Sequence, residues 1–494
     1  MNSTDYLTGT FRLIDGREVF GSLHVCGKDS NLTIFDDAEF YPVSESYAYI
    51  EGKLHDGRLA TLLQCILVSA KSRGTDSDRL RHSAKLFPHY VALGFSHIPQ
   101  SEHCISKISF AMRDASAIFY DFGAFSTVLD PKPFVPLLQN DIAKFRQVDI
   151  GERPIISYFT GKFDIAVVET VLGEVRAHHR PSFSMGDLRG VQIDNEVMVT
   201  LTPSDPLTFQ EGINRLSVLL RFFELILGRE QPLANLNVML CGQPQNYSTI
   251  EIHRSLSPYS GDPVDSKESR SLAPSDVLVS VVDGAEEYST VLMNYLDSDN
   301  ERHDSRKRLR GAFKSDRKYT IDRVVAAANV FDILPKSAYP VKAEISNELA
   351  TAAAKARELF KALPDSIERN SILDAIGRIY NFSLKHKIKH RVTSTGLDKH
   401  FPQLIKVLEE AVNCRNHYVH GSPGRVDYSA NFALVIFLTD SLEFSFAVSD
   451  LIDIGWDFTH WKKGYSHPFG AFIAGYQEQL THFNELMSHR HKKK

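Results

Sequence analysis

The chain has 494 residues, 43% hydrophobic and 24% charged, with a formal net charge of −5. That length supports two or three domains with substantial cores, and the composition is ordinary for a soluble globular protein. Five scattered cysteines (Cys26, Cys65, Cys104, Cys241 and Cys414) form no CxxC pair, which argues against a disulfide framework or a zinc ribbon and for a reducing cytoplasm.

The first residues, MNSTDYLTGT, carry neither a basic n-region nor an apolar h-region, so secretion is not expected. No run approaches the roughly 18–20 apolar residues of a membrane span. Together these readings predict a cytoplasmic protein with no membrane partner.

Residues 9 to about 205 are dominated by short alternating runs separated by turns. Asp15-Gly16 and Asp56-Gly57 are strong hairpin signals, each flanked by apolar or β-branched segments. The runs ISKISFAM (105–112), GKFDIAVVETVLGEV (161–175) and EVMVTLTP (196–203) continue the strand pattern. Antiparallel β-structure of sandwich or barrel type is the expectation. A helix follows at roughly 207–228, with Ile213, Leu216, Leu220, Phe223 and Ile226 on one stripe and Gly228 ending it. Two strand-like pieces come next (236–241 and 248–253), so this helix is grouped with a β-rich domain of residues 1–253.

Residues 254–276 are rich in Ser, Pro and Asp and read as a linker or long loop. From 277 to 494 the pattern is mostly helical, at roughly 279–297, 320–334, 342–361, 366–391, 401–420 and 429–449. The highly charged segment 298–318 reads as solvent-facing, either a plain charged face or an RNA contact. The tail HRHKKK reads as a frayed basic end. The fold class is therefore α+β and multidomain: an antiparallel β-rich part, then an all-α bundle.

Charge is unevenly shared. From residue 301 onward there are 30 Lys and Arg against 22 Asp and Glu, and 26 against 39 before it. The basic part is the one suited to nucleic acid.

The most informative residues are Arg415-Asn416-His417-Tyr418-Val419-His420. Upstream, Leu404, Ile405, Leu408, Ala411 and Val412 recur at helical spacing; downstream, Gly421-Ser422-Pro423-Gly424 stops the helix. The motif thus falls on a last helical turn, whose partial negative charge favours a protonated His420. A histidine can move the proton of a ribose hydroxyl, and a guanidinium can grip two phosphate oxygens, which suits metal-free RNA cleavage. Asn416 would hold the phosphate or orient the imidazole. On an ideal helix, five residues leave Arg415 and His420 about 140° apart. Convergence is expected only if the helix unwinds near His420 or a second subunit supplies one half.

Spacing alone is weak: among 20 histidines a chance match is expected, and Arg17 to His24 is such a decoy. The bland alternative makes Arg415 a surface ion-pair residue and His420 a helix cap. Cys414 reads as a buried helix thiol rather than a nucleophile.

On the preceding helix Lys385, Lys387, Lys389 and Arg391 form a basic cluster that reads either as a groove for RNA phosphates or as a solvated face. His178-His179 is a weak zinc signal, lacking a third ligand at usual spacing. No Walker loop or GxGxxG fingerprint is present, and no metal-nuclease cluster stands out near the basic domain, so no cofactor or metal is expected.

The stretch NCRNHYVHG resembles the Arg-Asn-x-x-x-His signature of HEPN domains, helical bundles that often act as ribonucleases. The flanking helices 319–335 and 371–392 agree, giving a HEPN core of about 319–450. GTFRLIDGREVFGSLHV and YAYIEGKLHDGRLATLLQCILVSA resemble the N-terminal domain of ApeA-type anti-phage proteins. The resemblance implies a β-rich sensor joined to a ribonuclease, RNA as substrate, a homodimer of HEPN domains around a shared cleft, and a phage-derived trigger. Arg415, Asn416 and His420 would be the catalytic residues. Related helices carry a glutamate near the position of Asn329 or Asp332. The alternative from another class is a non-catalytic pairing module.

Overall fold

The computed structural model describes residues 6–488 apart from 14, 37–45, 74–80, 146, 148, 185–189, 256–270, 283, 316–317 and 341–344. Most of the expected linker, and the HRHKKK tail, lie outside the described residues. The chain divides into two compact units. One is Met1–Ser217 with Gln231–Pro274 and Ser280–Ala285; the other is Val218–Glu230 with Ser275–Val279 and Glu286–Lys494.

The first unit is antiparallel β-structure. It contains β1 (Tyr6–Arg12), β2 (Glu18–His24), β3 (Asn31–Asp36), β4 (Ser46–Leu54), β5 (Leu59–Arg73), β6 (Arg81–Gly94) and β7 (Ile105–Met112). It continues with short helices α1 (Ala115–Ile118) and α2 (Val135–Ile142), around β8 (Phe125–Thr127), then β9 (Ser157–Phe159). β10 (Asp164–Thr170), β11 (Gly173–Phe183), β12 (Ile193–Thr202), β13 (Leu233–Leu240), α4 (Gln245–Ser248) and β14 (Thr249–Arg254) complete it, while helix α3 (Phe209–Leu227) begins there.

Twelve strands form one sheet in the order β10-β11-β12-β7-β13-β14-β6-β3-β2-β1-β4-β5, and β5 pairs back onto β6. That second pairing closes β6-β3-β2-β1-β4-β5 into a barrel, which hides the edges that an open sheet would leave. β6 can serve both parts because it is long: residues 82–86 pair with β3, and residues 90–93 with β14.

Both expected hairpins are present, and both turns are Asp-Gly-Arg. Gly16 and Gly57 take φ of +83° and +89°, where a side chain would be strained. Asp15 and Asp56 each accept the backbone N–H of the arginine two residues on, at 3.0 Å. Inside the barrel Phe11 faces Gly52 in the register. A Cβ at residue 52 would lie 2.5 Å from the Phe11 ring, so glycine is what lets the aromatic lie flat across the strand.

The second unit is helical. It holds the rest of α3, then α5 (Ala285–Asp297), α6 (Asp299–Ser315), α7 (Ile321–Asn329), α8 (Asn347–Lys361) and α9 (Ile367–Gly377). α10 (Leu384–Ser394), α11 (Leu397–His400), α12 (Leu404–His420), α13 (Phe432–Asp453) and α14 (Pro468–Ser488) follow. α13 is the axis, with α6, α7, α10, α12 and α14 packed against it. By length and apolarity α13 could cross a membrane, contrary to the expectation that no segment would qualify. Scattered polar residues break its apolar run, and it serves here as a mostly buried core helix. Its Thr439 and Ser441 hydroxyls donate to carbonyls one turn back, which makes burial tolerable.

Three further expectations are corrected. The second half of α3 belongs to the helical unit, because Arg221 donates to Asp299 at 2.7 Å and Glu224 accepts from Arg310 of α6. The predicted helix 366–391 is two helices, α9 and α10, broken after Gly377. The charged segment 298–318 is not a solvent-facing strip: Asp299, Ser305 and Arg306 are buried. Arg302 and Arg306 both donate to the Asp450 carboxylate.

α7 meets α13 through a second polar cluster. Tyr319 donates to Asp440 at 2.7 Å, and Arg323 forms a two-pronged pair with Glu443 at 2.8 and 2.9 Å. Burial, partly offset by the Tyr319 hydrogen bond, pushes the Asp440 carboxyl up to about 7. A folded pKa above the unfolded one means that the folded chain holds the extra proton. The resulting stability is complete below about pH 4 and is lost as pH rises towards 7. Asp440→Asn is therefore expected to be as stable as the wild type near pH 4 and more stable at pH 8. Urea denaturation at the two pH values tests this, and equal wild-type-to-variant differences at both would count against it.

Candidate active site at the end of the motif helix

α12 buries Leu404, Val407, Leu408, Ala411, Val412 and Cys414 along one face, the 3–4 spacing read from its sequence. It ends where Gly421 takes φ +65° and donates its N–H to the carbonyl of His417. The last turn therefore stays helical through His420. Arg415 and Asn416 are half-buried and His420 is exposed.

These three side chains meet within one chain. Arg415 Nη1 donates to Asn416 Oδ1 at 3.0 Å and to His420 Nε2 at 2.9 Å. The expectation that convergence needs an unwound helix or a second subunit is thus corrected. Cα positions about 140° apart are bridged by the length of the arginine side chain. A guanidinium only donates, so Nε2 of His420 is the acceptor in this contact, as a general base must be.

Asn329, the last residue of α7, is the fourth member. Its Oδ1 accepts from Arg415 Nε at 3.3 Å and Nη2 at 3.1 Å. Of the two positions weighed for a supporting acid, Asn329 is the one in contact with Arg415, and it presents an amide oxygen. α7 is fixed in turn by Thr320, whose hydroxyl accepts the N–H of Arg323 and so caps the helix. Asp332 is elsewhere, accepting from Lys387 at 3.1 Å. Four of the five guanidinium N–H groups are engaged by Asn329, Asn416 and His420. A phosphate would exchange places with some of these partners.

The loop after the helix is pinned from below. Buried Glu410 accepts from Tyr428 at 2.7 Å and from Asn413 at 2.8 Å, and Asn413 accepts from Lys385 at 2.7 Å. His417 Nδ1 donates to the carbonyl of Ser422 at 2.8 Å, so this imidazole anchors the loop. Cys414 is buried, and its thiol is pushed up to about 12 by burial, which suits packing and not attack. Tyr428→Phe should cost about 1–3 kcal/mol, because it strips a buried carboxylate oxygen of its hydroxyl partner. Chemical denaturation tests this; a midpoint equal to that of the wild type would show the contact to be dispensable.

The basic cluster of α10 splits. Lys385 reaches the motif helix through Asn413. Lys387 pairs with Asp332 and lies 5.5 Å over the Tyr339 ring. Lys389 is exposed. Arg391, expected to contact RNA, is instead buried, donating to Asp453 and to the Ser449 carbonyl at 2.8 Å, so its charge is used inside the bundle.

Other sequence signals lie apart from this site. Arg17 pairs with Asp15 and Asp36, and His24 stacks on Tyr6. His179 is buried against Phe125 and Phe159, with Nδ1 3.0 Å from Asn195. Burial lowers the pKa values of His178 and His179. Among the described residues, no three His, Cys, Asp or Glu side chains gather as a metal-binding group.

Comparison with known proteins parts the chain near residue 321, after α6, whereas the compact units part before α6. Neither the curated proteins nor the solved structures contain a match. Residues 325–459 match the family model for Apea-like HEPN, which runs from within α7 through α13. Residues 7–321, nearly two thirds of the chain, match the model for ApeA N-terminal domain 1, which runs on through α5 and α6. The chain therefore belongs to the ApeA family, a β-rich N-terminal domain followed by a HEPN domain of nuclease-type or RNA-related function.

Proposed function

We propose that the protein is a metal-independent endoribonuclease of bacterial anti-phage defence. The 2.9 Å contact between Arg415 Nη1 and His420 Nε2 carries this reading, with Asn416 and Asn329 orienting the guanidinium. His420 takes the proton of a ribose 2′-hydroxyl. The 2′-oxygen attacks phosphorus, Arg415 neutralises charge on the non-bridging oxygens, and the P–O5′ bond breaks. The leaving oxygen is protonated by an imidazolium, giving a 2′,3′-cyclic phosphate and a 5′-hydroxyl. One motif offers one exposed imidazole, so a second copy of the chain is the proposed source of the complementary acid. Lys385, Lys387 and Lys389 remain as candidates for the RNA backbone. The β-rich domain is the proposed sensor that restrains the nuclease until a phage-derived trigger arrives.

A second reading has its own observation. Arg415 and His420 satisfy one another, as a purely structural helix end would, which favours a non-catalytic pairing module. Incubating the purified protein with total RNA in excess EDTA, beside His420→Ala, separates the two. EDTA-resistant cleavage leaving cyclic phosphate, absent in the variant, is the expected result. Cleavage equal in both proteins, or abolished by EDTA, would overturn the proposal.

A further inference from the structure

Residues 345–381, which contain α8 and α9, have almost no interior. Within this stretch only Ala353 is buried. α8 and α9 pack on each other, and both are well started: Ser346 accepts the N–H of Leu349, and Ser366 that of Arg369. Yet Leu349, Leu359, Leu363, Ile367, Ile372 and Tyr380 stand exposed, Ile367 by 85% and Leu359 by 71%. Leu349, Ala352, Ala356 and Leu359 follow the 3–4 spacing of a single stripe, so α8 has a wider apolar face than α9 covers. Helices of 15 and 11 residues are too short to persist on propensity alone, so the exposed stripe calls for cover.

The charges say what that cover is. The same stretch carries five basic and five acidic side chains and no net charge. A neutral surface does not suit a phosphate backbone or an anionic membrane, both of which attract by net positive charge. An even mixture of both signs around an apolar centre suits a surface that pairs with itself about a two-fold axis. Stable interfaces engage about 20–30 residues on each side, a number that the hairpin's exposed residues reach when all of its faces are counted.

We propose that the α8–α9 hairpin is the surface through which two copies of this chain associate. This rests on the reading above that HEPN domains work in pairs, and it adds the contact that joins them. α9 leads through residues 378–383 into α10, whose Lys385 is bonded to Asn413 of the motif helix. A fixed hairpin would thereby steady the basic edge of the candidate site.

The test is sedimentation velocity on the full chain, wild type against Leu359→Glu/Ile367→Glu, with circular dichroism to verify folding. The wild type should be a dimer, and the double variant a monomer with dissociation at least about 100-fold weaker. Leu363→Lys alone, beyond the end of α8, should shift the equilibrium in the same direction. Ile155→Glu, equally exposed in the β-rich unit, should remain dimeric. A wild-type monomer at tens of micromolar, or a dimer that survives the hairpin substitutions, would overturn the proposal. So would a monomer whose hairpin is held by some other protein. RNA cleavage assayed on the same samples keeps the readings apart. Loss of the dimer in the hairpin variants upholds the interface whether or not either sample cuts RNA, and a wild type that is monomeric yet cuts RNA removes the interface while leaving cleavage itself, without the acid from a second copy.

Discussion

Replacing His420 by alanine is expected to lower RNA cleavage by at least about two orders of magnitude, the usual contribution of a general base or acid. Folding should be untouched: the side chain is exposed at the last residue of α12, and alanine is a good helix former. Arg415→Ala should have an equal or larger effect, since it removes both the phosphate cation and the partner of His420. Arg415→Lys should rescue little. An ammonium on a flexible stem cannot hold Asn329 with one edge of a planar fork and His420 with the other. Asn329→Ala is the more discriminating change, because Asn329 touches the guanidinium but not the imidazole. Its expected effect is smaller and falls mainly on kcat. Initial rates on one RNA substrate, with melting temperatures alongside, test the whole series. Rates unchanged in both His420→Ala and Arg415→Ala, or the unfolding of both, would favour the structural role of the motif.

What could be read from the sequence here was what local rules determine. The two Asp-Gly turns announced the hairpins of the barrel, and the glycine after His420 announced the end of the motif helix. α14 went unnoticed, although Phe469, Tyr476, Leu480 and Phe483 recur at helical intervals; glycines at 470 and 475 dilute that pattern. Asn329 could not be singled out, because it meets Arg415 only once α7 and α12 are packed, 86 positions apart in the chain. The same holds for the arginines of α6 and for Arg391. A run such as ERHDSRKRLRG looks solvated to any rule that sums local polarity. Its partners are acids in α3 and α13, which no spacing within the run reveals. The geometric worry over Arg415 and His420 failed for a simpler reason: helical angles locate Cβ atoms, whereas an arginine carries its charge five bonds further out.

Those arginines support the second large prediction, which concerns stability. Asp450 is 1% exposed and accepts from Arg302 and Arg306, and Arg306 itself is 3% exposed. Burial pushes the Asp450 carboxyl up, but the two guanidinium charges outweigh it and hold the group below the usual carboxylate range. The Arg306 fork also donates to the Tyr295 carbonyl at 2.7 Å and Ser298 at 2.9 Å, and lies 3.7 Å over the Tyr295 ring. Asp450→Ala would leave that guanidinium buried with its charge uncompensated. Breaking a buried pair in this way costs about 3–5 kcal/mol. For a unit of this size, that is a fall of roughly 10 °C in melting temperature. Asp141→Ala, which removes the exposed pair with Lys144, should leave the melting temperature unchanged. Calorimetry on the three proteins decides the matter, and an Asp450→Ala protein melting within a degree or two of the wild type would show the network to be neutral. The consequence reaches the candidate site through Asp453, which accepts from Arg302 of α6 and from Arg391 of α10. α10 is thus held on the bundle by the buried charge of Arg391, while Lys385 and Lys387 are paired at its surface and Lys389 is exposed.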